Sequence, residues 1–148
     1  MINIKLYEEW CAELVARVNK KCEFSISRCQ FAVSEAHMVK KMANAQGIAL
    51  CVSYPDTRGV GSDTVADVQQ GFFFVVERVA QGMDSDKAEV DRYERLQTVM
   101  LALRDEILES QMDCMQLMPT YDYKIEWEWQ IFGGCNGLSL GIKFKNND

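Results

Sequence analysis

The chain has 148 residues, 48% hydrophobic and 26% charged, which is material for one globular domain with one proper core. That composition excludes collagenous, mucin-like and disordered classes. The longest unbroken apolar runs, Ile48–Val52 and Phe72–Val76 among them, are five residues each, against about 20 for a membrane helix. Sixteen basic residues against 22 acidic ones give a net charge of −6, which opposes a general nucleic-acid binder.

The charge is uneven. Residues 1–46 carry seven Lys/Arg and five Asp/Glu, net +2; residues 47–148 carry nine and seventeen, net −8. The basic cluster Arg17, Lys20, Lys21 and Arg28 reads as a solvated helix end rather than a nucleic-acid footprint. Met1-Ile2-Asn3-Ile4-Lys5 followed by Glu8 and Glu9 does not have the form of a secretory leader, so a reducing, cytoplasmic setting is expected. The six cysteines (Cys11, Cys22, Cys29, Cys51, Cys114, Cys135) include no Cys-x-x-Cys and are read as small buried hydrophobes.

In chain order, Leu6, Trp10, Leu14 and Val18 recur every four residues beside Tyr7, Cys11 and Val15, predicting a helix over 3–20. Residues 22–33 stay open between short extended pieces and loop. Ser34 suits the cap of a second helix carrying Met38, Val39 and Met42 and stopped by Gly47. Ile48–Tyr54 reads as a buried strand ended by Pro55-Asp56, and residues 65–80 as a second strand with a possible bulge at Gly71. Between them, Asp56, Thr57, Arg58, Gly59, Val60, Gly61, Ser62 and Asp63 have loop chemistry, which makes the pair a long antiparallel hairpin.

Asp86 and Glu89 resemble a capping box, and Tyr93, Leu96, Met100, Leu103 and Ile107 keep helical period to about residue 112, with Glu94, Asp105 and Glu109 on the outer face. Tyr123, Ile125, Trp127, Trp129 and Ile131 then alternate with Lys124, Glu126, Glu128 and Gln130. After Gly133–Gly137 the alternation resumes in Leu138, Leu140, Ile142 and Phe144, so the two runs form a hairpin. A register with partner numbers summing to 271 pairs Glu128 with Lys143, Glu126 with Lys145 and Trp129 with Ile142, leaving Gly134–Gly137 as the loop. The expected fold is α+β, a mainly antiparallel four-stranded sheet of two hairpins with two or three helices on one face, in a single domain over 1–148.

No motif names a reaction. Glu126 and Glu128 are spaced about 6.5–7 Å apart on one strand face, which overlaps a glycosidase pair, but each has a lysine partner in the expected register. His37 is the only histidine, so a multi-histidine metal site is impossible, and nothing in the spacing pairs it with a thiol. Gly59-Val60-Gly61 opens like a dinucleotide fingerprint but lacks the third glycine, a following helix and a Walker lysine. Asp56, Asp63 and Asp67 do not have EF-hand spacing. Met112, Met115 and Met118 around Cys114 and Leu117 suit either an adaptable interface or gap-filling under the sheet. No catalytic, cofactor-binding or metal-binding residue is assigned.

The leading helix, the strand ending at Tyr54-Pro55 and its hairpin, the helix at 86–112 and the closing hairpin together resemble small tail-terminator, tail-completion and head–tail joining proteins of long-tailed phages and prophages. The resemblance implies a non-enzymatic assembly protein that forms a homo-oligomeric ring, commonly a hexamer, through sheet edges and extended loops. It would have other protein components of a phage-like particle as partners and reside in the cytoplasm or the virion. Residues Asp56–Asp63 would be the assembly arm. The alternative is a small-molecule-binding domain or small enzyme with a pocket between helices and sheet near His37 or a cysteine. A third reading is an adaptor that binds one protein through residues 112–118.

Overall fold

The computed structural model describes residues 2–60, 66–80, 84–110, 115 and 117–146. Its elements are α1 (Ile4–Lys21), β1 (Ile26–Ala32), α2 (Glu35–Lys41), β2 (Ile48–Ser53), β3 (Asp56–Val60), β4 (Ala66–Arg78), α3 (Asp86–Glu109), β5 (Leu117–Ile131) and β6 (Cys135–Asn146). The strands form one six-stranded mixed sheet in the order β1-β2-β4-β6-β5, with β3 pairing β4 beyond the end of β2. The α+β class is as expected, but the described residues form six strands rather than four.

Both extra strands come from segments whose side chains gave little signal. β1 runs parallel to β2, through the ambiguous stretch 22–33. A parallel pair needs a crossover, and α2 supplies it. Ser34 Oγ accepts from the His37 amide and so caps that helix, and Gly47, at φ +75°, releases the chain into β2.

β3 replaces most of the expected loop. β2 is six residues long and β4 thirteen, so one flank of β4 outruns β2 and is left with main-chain groups to satisfy. Asp56–Val60 satisfies them by pairing with Gln70–Ala66, and Thr57 Oγ1 and Gln69 Oε1 meet at 2.6 Å across the pair. The step from β2 to β3 falls at Tyr54-Pro55, where proline has no amide to donate, and Ser53 Oγ accepts from the Phe72 amide there instead. Thus Asp56, Thr57, Arg58, Gly59 and Val60 are strand rather than loop; Gly61, Ser62 and Asp63 lie outside the described residues.

The terminal hairpin forms, but not in the expected register. Tyr123–Glu128 pair with Ile142–Gly137, a sum of 265 rather than 271. Alternation fixes only which face a residue takes, so every even shift keeps apolar opposite apolar. The turn decides among them. Phe132, Gly133 and Gly134 all take positive φ (51°, 79° and 122°), so the chain reverses there and Cys135 already pairs with Ile131. Accordingly Glu128 accepts from Ser139 Oγ at 3.0 Å rather than meeting Lys143. Bulges at Tyr121 and Gln130, again with positive φ, absorb the extra residues of β5.

β4 and β5 both run antiparallel to β6 and therefore parallel to each other, so α3 is a crossover that leaves a gap for β6 to fill. Within that gap Gly137 is required. A Cβ there would lie 2.0 Å from the Val75 carbonyl oxygen on β4.

α1 and α3 pack on one face. Tyr7, Trp10, Cys11, Leu14 and Val18 from α1 and Leu96, Val99, Met100, Leu103 and Ile107 from α3 close over Leu50, Phe73, Val75, Leu138, Leu140, Ile142 and Phe144. Asn3 caps α1 through the Lys5 and Leu6 amides. Ser85, one residue before the expected box, caps α3, and the helix ends at Glu109 rather than 112. Edge-on aromatic contacts order the centre, with Trp10 at 6.0 Å from Phe73 and 5.8 Å from Phe144.

The helices are not all on one face. Met38 of α2, with Met42 and Ala45, seals the opposite face over Ala49, Cys51 and Val76, with Phe132 and Cys135 from the terminal hairpin. A βαβ unit whose helix is only seven residues long covers no more than one end of the sheet. The far end of that face is open, with Phe72 40% exposed and Lys124, Glu126, Lys143 and Lys145 in solvent.

Candidate functional site

The open end of the second face follows directly from the ladder. Reading across the sheet, Arg58, Val68, Lys145 and Met118 form one row. The next row holds Asp56, Gln70 and Lys143, with Asp122 at 3.3 Å from the Lys143 Nζ. Phe72 and Gly141 follow, opposite Lys124. Phe72 then meets the α2 layer in a pocket of about 290 Å³ lined by Ser34, Glu35, Ser53, Phe74, Glu128 and Phe132, among others.

That pocket is one concave feature a small ligand would use, and three of its polar side chains already have partners. Ser34 Oγ accepts from the His37 amide, Ser53 Oγ from the Phe72 amide and Glu128 from Ser139. His37 is not among its lining residues; its Nδ1 accepts from the Val33 amide at 3.2 Å. Glu126 points to solvent with Lys124 as its ion partner, so Glu126 and Glu128 do not form a facing pair.

Cys11, Cys29, Cys51 and Cys135 are set for packing. Burial pushes the Cys29 thiol up to about 12, with Glu8 adding to the effect, and raises Cys11 and Cys51 further from the thiolate form. Cys135 is raised by burial too, with Arg78 pulling the other way. A neutral thiol is neither a nucleophile nor a metal ligand near pH 7. Among the described residues, no group of three or more His, Cys, Asp or Glu is arranged to hold a metal ion, and no helix is long and apolar enough to cross a membrane.

The second open surface was only half legible in the sequence. Trp127 and Trp129 are 60% and 68% exposed, although alternation marks both as core-facing. β5 is an edge strand, and it overhangs α3 instead of lying under it. Tyr93 of α3 packs edge-on against Trp127 at 5.6 Å, and its hydroxyl donates to the Glu128 carbonyl at 2.7 Å. A shallow groove between helix and strand is lined by Glu89, Val90, Tyr93, Glu94, Gln97, Trp127 and Trp129. Burial first, and then the carboxylates of Glu89 and Glu128, push the Tyr93 phenol up, and the lining carboxylates Glu89 and Glu94 make the groove acidic as well as aromatic.

Arg92 and Arg95 of α3 do not offset that charge. Arg92 bonds Glu77 at 2.8 Å and Asp84 at 3.0 Å, and Arg95 reaches Glu77 at 3.6 Å, so both serve the junction with β4. The two ends of the sheet order also differ. On β1, Asn19 takes both the amide and the carbonyl of Ile26, and Lys41 donates to the Phe31 carbonyl. Side chains thus guard that edge. β5 is interrupted by bulges at Tyr121 and Gln130 but runs regularly between them, from Tyr123 to Glu128.

Of the residues singled out in the sequence, Arg58 lies on the open face, Glu128 in the α2 pocket and His37 at the α2 cap. Met112 and Cys114 lie outside the described residues; Leu117 is buried in the core and Met118 is 38% exposed. No protein-family model matches the chain, and no curated protein is significantly similar to it.

Proposed function

We propose that the protein is a non-enzymatic assembly component that closes into a homo-oligomeric ring, in the manner of the phage tail-terminator, tail-completion and head–tail joining proteins its element order resembles. Its partners on this reading are further copies of itself and other proteins of a phage-like particle. The observation that carries the reading is the β5 edge. Two tryptophans more than half exposed on an edge strand are costly to leave in water and mark a contact surface. Neutral thiols at Cys11, Cys29 and Cys51 and a histidine engaged at a helix cap weigh against a reaction centre.

On this reading Asp56–Asp63 still forms an assembly arm, of which Asp56–Val60 is the strand β3 paired with β4. Sedimentation velocity from about 1 to 100 µM is the test. A discrete closed oligomer is expected, and a strict monomer across that range overturns the ring.

A second reading, a small-molecule-binding domain, is favoured by one observation. The α2 pocket has aromatic walls in Phe72, Phe74 and Phe132, with Glu35 and Glu128 among its lining residues. Such a site suits an organic cation. A thermal shift with small aromatic or quaternary amines would favour it over assembly.

A further inference from the structure

We infer that the groove between α3 and β5 receives a second copy of this chain, docked by its row of Arg58, Val68, Lys145 and Met118, so that neighbouring subunits join head to tail. This rests on the ring reading above and deepens it by naming the two surfaces. The groove offers two carboxylates, Glu89 and Glu94, around the apolar surface of Trp127, Trp129 and Val90, the last 63% exposed. The row offers two cations around two apolar side chains, with Met118 38% exposed and Arg58 and Lys145 in solvent.

The surfaces therefore match in both charge and hydrophobicity, and Arg58 and Lys145 are placed to lie against indole faces. Several other cations are engaged at home. Arg17 pairs with Glu13 and Lys21 with Glu106, while Lys143 is beside Asp122.

The two surfaces cannot meet within one chain. Leu138, opposite Trp127, and Lys145 are seven residues apart on β6, roughly 23 Å at about 3.3 Å per residue. Their side chains also emerge on opposite faces of the sheet. A patch and a complementary counter-patch on different surfaces make a heterologous contact, which propagates until the rotation closes a ring. A self-complementary patch would stop at a dimer.

That asymmetry gives the test its form. One variant, Glu89→Lys/Glu94→Lys, spoils the groove; the other, Arg58→Glu/Lys145→Glu, spoils the row. All four positions are on the surface, and matching thermal melts establish that both variants fold. Each alone is expected to self-associate at least ~100-fold more weakly than the unaltered protein. Mixed one to one, the sound row meets the sound groove and the reversed row meets the reversed groove with charges again opposite, so sedimentation velocity should show assembly restored, with the two variants alternating.

Burial of Trp127 and Trp129 should also shift tryptophan emission to the blue when the unaltered protein assembles. Variants that assemble normally, or a mixture that stays monomeric, overturn the pairing while leaving the ring reading intact. An unaltered protein that stays monomeric overturns both, and emission that then shifts only with a basic peptide assigns the groove to a different protein partner.

Discussion

The two faces of the sheet are made from alternate residues of the same strands, yet they have different fates. On β6, Leu138, Leu140, Ile142 and Phe144 are sealed under α1 and α3, while the intervening Gly137, Ser139, Gly141 and Lys143 pass from the α2 layer into open solvent. The helical face is covered by helices of 18 and 24 residues; the other is capped at one end by a helix of seven. Helix length therefore divides the domain's labour. The long pair supplies stability, and the shortness of α2 leaves surface available for contact.

The largest effect should come from breaking the sealed face. Leu140→Ala removes a fully buried side chain at its centre and is expected to cost about 3–5 kcal/mol in urea unfolding. Phe72→Ala, on the open face, should cost about 1 kcal/mol or less, because much of that ring is already in water. Equal losses would show that the second face is as deeply packed as the first.

Alkaline pH probes the sealed layers next. The Cys29 thiol titrates near 12 when folded, above its ordinary value, and burial raises Cys11, Cys51 and Tyr7 as well. Below the ordinary thiol range both folded and unfolded chains hold these protons, so stability does not change on their account. Above it the unfolded chain gives them up first, and stability falls as pH climbs toward 12. Each thiol contributes a slope of at most about 1.4 kcal/mol per pH unit. Unfolding measured from pH 8 to 11 under reducing conditions should show this decline, and a flat profile would place the sulfurs in contact with solvent.

The smallest expected effect has the opposite sign. The Tyr7 hydroxyl is fully buried and has no hydrogen-bond partner among the described residues; it also lies where a Cβ on Gly71 would come within 3.0 Å of it. Tyr7→Phe removes that unsatisfied group and should stabilise the protein by about 1 kcal/mol. A loss of that size would reveal a partner, such as a buried water, that makes the hydroxyl worth keeping.

These contrasts explain what could be read from the sequence. α1 and α3 were legible because one side of each is continuously buried, so period and burial coincide. The parity of β5 and β6 was legible for the same reason, and their register was not, since it turned on backbone angles at Phe132, Gly133 and Gly134 that alternation does not encode. β3 was invisible because its pairing with β4 is written in main-chain groups rather than apolar side chains. The exposed Trp127 and Trp129 misled for a different reason. They have core chemistry at core spacing, and only the overhang of β5 past α3 turns them outward.

The placement of β6 has a consequence for how the protein is made. It is the last strand of the domain in chain order but lies inside the sheet, between β4 and β5. Until residues 135–146 leave the ribosome, β4 and β5 each present an unpaired flank, with Phe73, Val75 and Ile125 beside it. The β4–β6 contacts, between distant parts of the chain, form late and slowly, and in the interval the nascent domain is at its most vulnerable to aggregation. The strand that completes the centre of the fold therefore also ends its exposure to other chains.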